Sequence, residues 1–427
     1  MHKHLLLFLF LTAGGYVSAQ VQPDKIYQPS IKTIKFTKFG DPLAYPIFRL
    51  NSNDLLELNF DDMDAGVKNY YYSFQLCNAD WQPVAMNYFD YIKGYSQIRI
   101  NNYKVSTIAF TRYTHYQANL PDRNCLPTKS GNYLLKVFLN GDTSKLVFTK
   151  RMLVVDERLS VGAQVTQPFN NQYFQTHHRV QVQIETTNMD IRYPQQQIQV
   201  KILQNYRWSN SLSVQQPTFI RQGMLQYSNE NNMIFPAGKE YRWLNLRSFR
   251  LLGDRIIRQQ NTNSSYELFV KDDLPRLPRQ YFYYRDMNGW YVNETIDNLN
   301  PYWNADYAKI HFTFRPPEGI PYSQGDLLIV GQLTNDGEDK EAVMQYNKES
   351  RAYETTLVLK QGYYDYQYAI KQYSNGGYML NTSIPEQDVW ETENNYMVLV
   401  YYRDLGGRYD QLLAIRQINS QFNRSMQ

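Results

Sequence analysis

Residues 70–95 read YYYSFQLCNADWQPVAMNYFDYIKGY. The first eight alternate, with Tyr72, Phe74 and Leu76 on one face and Tyr71, Ser73 and Gln75 on the other, the period of a half-buried strand. Asn78, Asp80 and Pro83 end that ladder, since short polar side chains and a fixed φ favour a turn. Trp81 falls inside the turn, where a large apolar ring has to find cover. It is expected to fold back and be buried in the core of its own domain. The stretch reads as the corner of a β-sandwich with a decorated edge, and nothing in it reads as an active site.

Working outward, residues 24–156 hold further short strands, at 31–36, 46–50, 55–60, 98–100, 111–120, 130–138 and 146–155, that join the opening one. With a Gly131-Asn132-Tyr133 strand next to last, this is an immunoglobulin-like pattern. Residues 180–184 and 198–202 alternate strictly between apolar residues and Gln or Lys, as half-solvated antiparallel strands do. Further strands are expected at 241–251 and 266–270, and residues 272–278, with Pro275 and Pro278, read as a linker. Beyond it, strands at 281–284, 307–314, 326–331, 353–359, 363–370, 398–402 and 411–418 resemble an early-set sandwich. The fold class is therefore all-β: three tandem immunoglobulin-like/early-set β-sandwich domains, at 24–156, 157–275 and 279–427, after a cleaved signal peptide at 1–19. No stretch has sustained helical periodicity.

Length and composition agree with several domains. The chain has 427 residues, 43% of them hydrophobic, enough for several cores. Its net charge of +4 offers no footprint for nucleic acid. With 38 tyrosines the chain is rich in a side chain suited both to sheets and to protein interfaces. His2, Lys3 and His4 precede an apolar run at 5–11, and Val17-Ser18-Ala19 supplies small residues for cleavage, the pattern of secretion rather than of a membrane span. Cys77 and Cys125 can bridge in an oxidising compartment or pack as free thiols, and both readings stay open.

The chemistry of catalysis is sparse. There is no phosphate loop, HExxH helix, GxSxG elbow or zinc spacing. His177 and His178 are adjacent on a strand and point to opposite faces, so they cannot share one ion. Asp61-Asp62-Met63-Asp64 and Asp286-Met287-Asn288-Gly289 have a calcium-like look, but the second lacks the downstream Glu and both suit ordinary turns. Carboxylate pairs such as Glu57 and Asp61 arise by number alone. A glycan-binding module is the alternative reading. Against it, residues 331–336 carry no aromatic platform and Trp390 is the sole Trp in the later half of the last domain.

Several segments together resemble the type IX secretion system plug protein family. These are Cys77-Asn78-Ala79-Asp80-Trp81, Tyr113-Thr114-His115-Tyr116, Ser130-Gly131-Asn132-Tyr133-Leu134-Leu135 and Pro236-Ala237-Gly238-Lys239-Glu240-Tyr241-Arg242. Asp286-Met287-Asn288-Gly289, Asn304-Ala305-Asp306-Tyr307, Gln361-Gly362-Tyr363-Tyr364 and Trp390-Glu391-Thr392-Glu393-Asn394 follow in the same order. Leu76 and Lys239 depart from the family's common His and Asn. The resemblance implies a non-enzymatic periplasmic protein, attached peripherally to the outer membrane through the translocon, that closes the periplasmic mouth of a giant β-barrel. It implies no catalytic residue, cofactor or metal, and a protein partner rather than nucleic acid, a small-molecule substrate or a membrane span of its own. The docking surface is expected on loops. The two richest runs are 78–90 and 288–303, with Asn78, Asp80, Asp90, Trp290, Asp297, Trp303 and Asp306 as candidate interface residues. Their alternative is that both runs are packed interdomain loops.

Overall fold

The computed structural model describes residues 21–262, 265–276, 281–298, 300–374 and 377–421. The expected signal segment and Pro278 lie outside the described residues. The chain is all-β: the two α-helices among the described residues, Pro194–Gln197 and Ser383–Glu386, are single turns. Strands pair into three two-layered sandwiches and one small ribbon, Ile92–Gly94 with Cys125–Pro127.

In the first sandwich, strands Ile31–Lys38, Leu56–Asp62, Thr114–Leu120 and Asn102–Val105 lie side by side in that order. They face a sheet ordered Ile47–Arg49, Leu146–Val155, Gly131–Leu139, Tyr70–Cys77 and Ile98–Arg99. Tyr70, at the head of the opening stretch, is fully buried, with its ring 4.7 Å from Tyr116 and 5.1 Å from Phe60, both edge-on. Its hydroxyl donates to Asp62 Oδ2 at 2.9 Å, which supplies the partner a buried phenol needs. The same economy runs through the molecule, for the bulkiest fully buried side chains are all tyrosines. The tyrosine content is thus in large part core chemistry.

The other two units divide differently from the expected boundaries. Strands Ser160–Thr166, His177–Glu185, Met224–Tyr227 and Phe219–Arg221 form one sheet of the second sandwich, with Ile234–Pro236 also on His177–Glu185. Its facing sheet is Leu212–Val214, Ile198–Gln204, Asn395–Tyr402 and Gln411–Asn419, so the chain's last two strands complete the middle unit instead of the last. Residues 242–270, expected in the middle unit, build the third sandwich. Arg242–Asn245 pairs with Gly362–Ser374, and Ile256–Asn261 with Tyr266–Val270, which lies beside Tyr307–Phe314. The third sandwich is inserted into the second. Local alternation reports which face of a strand is buried and not which strand lies next to it, so the tandem boundaries at 157–275 and 279–427 do not match the sheets.

The expected linker at 272–278 is likewise corrected. Asp273 is 4% exposed and takes Arg242 Nη1 at 2.7 Å, Arg255 Nη2 at 2.5 Å and the hydroxyls of Tyr366 and Tyr368 at 2.8 and 2.9 Å. Burial alone would raise this carboxyl, but the two guanidiniums hold it below the usual carboxylate range. Asp273 is a structural centre of the third sandwich, while residues 277 and 278 of the expected linker lie outside the described residues.

Candidate docking surface and the three-way junction

The first and third sandwiches are joined by buried charge. Asp61, 1% exposed, accepts from Lys360 Nζ at 2.6 Å and Tyr307 hydroxyl at 2.5 Å, both from the third sandwich, and contacts His115 Nδ1 at 2.7 Å. Burial opposes its ionisation, yet Lys360 and His115 hold it below the ordinary value. The neighbouring Asp62 is engaged by Tyr70 and by Lys68 Nζ at 2.8 Å, so this acidic run serves ion pairs. Lys35 crosses the same joint without a carboxylate. Its Nζ donates to Tyr291 O at 2.8 Å and Gln332 Oε1 at 2.6 Å, and lies 4.3 Å from the Tyr291 ring centre. Burial, aided by Lys150, pushes the Lys35 amine well below its ordinary value.

The first and second sandwiches meet around Trp81. It is 8% exposed at φ 68° and meets Trp208 edge-on at 4.8 Å, with the Arg151 guanidinium 5.1 Å from its ring. Its apolar cluster includes Leu134 and Leu153 from the first sandwich and Leu203, Met397 and Tyr401 from the second. The expected burial is present, but Trp81 caps a joint rather than its own domain's core. Cys77 belongs to the same cluster, while Cys125 lies in the first core beside Tyr88 hydroxyl at 3.5 Å. Both thiols are free, and burial pushes them up, to about 12 for Cys77 and about 11 for Cys125.

Where the chain leaves the second sandwich for the third and later returns, two segments run together. Gly238 N donates to Asp388 Oδ1 at 2.8 Å, Val389 N to Gly238 O at 3.0 Å, and Asn394 Nδ2 to Ala237 O at 2.8 Å. His178 is fixed nearby, with Nε2 2.7 Å from Trp390 O and Nδ1 2.8 Å from Tyr396 hydroxyl; burial lowers it to about 4. The Ala237-Gly238 and Trp390–Asn394 motifs are therefore the two segments of an insertion neck.

Of the candidate interface residues, most turn inward. Asn78 Oδ1 accepts from Arg403 Nη2 at 3.0 Å, tying the first sandwich to the second. Trp290 is 6% exposed, under Lys35 Nζ at 5.0 Å. Asp297 binds Ser248 Oγ at 2.7 Å and Gln361 Nε2 at 2.8 Å inside the third sandwich. Trp303 lies under Lys104 of the first sandwich at 4.2 Å. Asp306, 8% exposed, accepts from the amides of Phe110 at 2.6 Å and Thr111 at 2.9 Å. Asp80 and Asp90 alone of the set are exposed, beside Phe89 at 67%. Of the run 288–303, Trp290 and Trp303 pack between sandwiches, while Ile296 is exposed.

Asp61, Lys360, Lys35 and Asp273 are the anchors that sequence reasoning missed. Lys35 was hidden by a break in register between Lys32 and Lys35, where Thr33 takes φ 54° and spoils the alternation that would have marked an inward lysine.

Residues 31–156, spanning the strands of the first sandwich, match the family described as type 9 secretion system plug protein 1st domain. The crystal structure of a hypothetical protein from Parabacteroides merdae ATCC 43184 is similar at a TM-score of 0.89 and 29% identity, covering 94% of this chain and 100% of that one. A span of that length reaches all three sandwiches. No curated protein matches the chain. Residues 31–156, the first of the three sandwiches, are thus similar to the 1st domain of the type 9 secretion system plug protein.

Proposed function

We propose that the chain is a non-enzymatic periplasmic subunit of a type 9 secretion system that docks on the giant outer-membrane barrel and closes its periplasmic mouth. The observation that carries this reading is the family match over residues 31–156. Physical support comes from the joints. A closure for a wide pore has to resist deformation, and here the first sandwich is bolted to the third through Asp61 and Lys360 and to the second through Trp81 and Asn78. No helix among the described residues is long and apolar enough to cross a membrane, so attachment through a protein partner is the economical arrangement. The exposed part of the 78–90 turn, with Asp80, Phe89 and Asp90, is the best remaining docking element of the first sandwich. Affinity purification of a tagged chain from outer membranes tests the partner. A very large barrel protein is expected in the eluate, and its absence under conditions that retain other envelope complexes counts against docking.

A further inference from the structure

Among the described residues, fourteen that are not glycine have φ in the left-handed region. Six of them, Asp24, Asn205, Tyr206, Asn288, Asn335 and Asp336, line a single cavity of about 230 Å³ where the three sandwiches meet. They arrive from all three units, so their gathering is not an accident of one loop. Asn and Asp enter this region cheaply, but a tyrosine does not. Tyr206 is held at φ 61° by rings on two sides, Tyr45 at 5.5 Å and Trp290 at 5.4 Å. Strained backbone persists only where its surroundings over-determine it, and it collects at ligand clamps.

The cavity presents acceptors. Asn288 is 6% exposed; its Nδ2 donates to Glu393 Oε2 at 2.9 Å, while its Oδ1 is buried with no partner among the described residues. The Asp336 carboxylate has no hydrogen bond or ion pair among the described residues, although Arg207, Lys150, Asp24 and Arg151 all face it. The three cations among them are engaged elsewhere, although the Nε of Arg207 has no acceptor among the described residues. Arg151 Nη1 binds Asp24 at 2.5 Å, Lys150 Nζ reaches Asn335 Oδ1 at 3.4 Å, and Arg207 Nη2 reaches Gln204 at 3.4 Å. The Nε of Arg151 also lacks an acceptor, but its guanidinium is covered by the Trp81 and Trp208 rings at 5.1 and 5.4 Å. What remains for a ligand is a carboxylate and an amide oxygen between electron-rich rings, the surroundings that favour a cation.

We propose that the junction cavity binds a cationic nitrogen, a protonated alkylamine or guanidinium, carried by a free small molecule or by a lysine or arginine of an extended chain. The inference is independent of docking on a barrel. The cavity is smaller than a drug-sized site, which suits one side-chain-sized group. Burial pushes the Asp336 carboxyl up to about 6, so binding weakens as the pH falls through that value and the charge is lost.

The full chain is titrated with butylammonium, butylguanidinium and the blocked tripeptide Gly-Lys-Gly, with butyrate and glucose as controls, by calorimetry and by the fluorescence of Trp208 and Trp290. Saturable binding of the cations is expected, weakened about ten-fold or more in Asp336→Asn. Asparagine tolerates the left-handed backbone, so that variant should melt like the parent. A tighter tripeptide than butylammonium assigns the site to a chain-borne side chain, and equal affinities assign it to free amines. Absence of saturable cation binding, equal binding of butyrate or glucose, or an unchanged affinity in Asp336→Asn overturns the proposal.

Discussion

Lys360 reaches across from the third sandwich to a carboxylate that has no other full counter-charge from that unit. Lys360→Met leaves Asp61 buried with only Tyr307 and His115 as partners and should cost about 3–5 kcal/mol, measured by denaturant unfolding. Asp365 behaves in the opposite sense. Its carboxylate takes the Met287 amide at 2.5 Å on Oδ2, while Oδ1 is buried without a partner among the described residues. Burial, reinforced by Asp286, pushes it up to about 8. Between its ordinary 3.8 and about 8 the folded chain holds a proton that the unfolded chain has released. Its contribution to stability is therefore full at low pH and is lost as pH rises through that window, at about 1.4 kcal/mol per pH unit. Asp365→Asn keeps the acceptor and removes the titration. Its melting temperature should exceed the parent's at pH 8 and converge with it in acid, and a constant difference across pH contradicts the assignment. Charge reversal now separates two kinds of candidate. Asp90→Lys, on an exposed turn, should leave the melting temperature unchanged, whereas Asp306→Lys strips the Phe110 and Thr111 amides of their acceptor and should cost about 1–3 kcal/mol.

At the scale of the element, the alternation of residues 70–77 announced the strand Tyr70–Cys77, and residues 198–202 announced Ile198–Gln204. Period and turn chemistry are local, so they were legible. Pairing is not local. Ile198–Gln204 finds its partner in Asn395–Tyr402, Ile198 opposite Tyr402, and nothing near either strand signals it. Trp81 shows the same limit, since a ring in a turn calls for cover without naming Trp208 as the cover. The segments flanking the insertion were recognisable as motifs, yet their role as a neck required seeing Gly238 and Val389 bonded. The insertion makes a direct prediction. A fragment of residues 157–275 lacks the last two strands of its own sandwich and exposes the buried Val200 and Ile202 face, so it should be unfolded or aggregated by circular dichroism and light scattering. Residues 21–156, whose strands all pair with one another, should give a β spectrum, with the exposed Leu134 and Leu153 cluster promoting self-association.

At the scale of the whole molecule, three sandwiches are tied by an insertion neck, a buried Asp61–Lys360 pair and a tryptophan joint. Each joint couples two units, so unfolding should follow one cooperative transition, and separate transitions for the first sandwich and the rest would mean that the joints are weaker than their burial indicates. Such rigidity is what closing a wide pore demands. The most direct test of closure is the permeability of the outer membrane to a large polar solute, compared in cells with and without the chain. Loss of the chain should admit the solute, and resupplying it should exclude the solute again. An outer membrane equally tight in its absence, with the translocon barrel present at its normal level, would contradict the account.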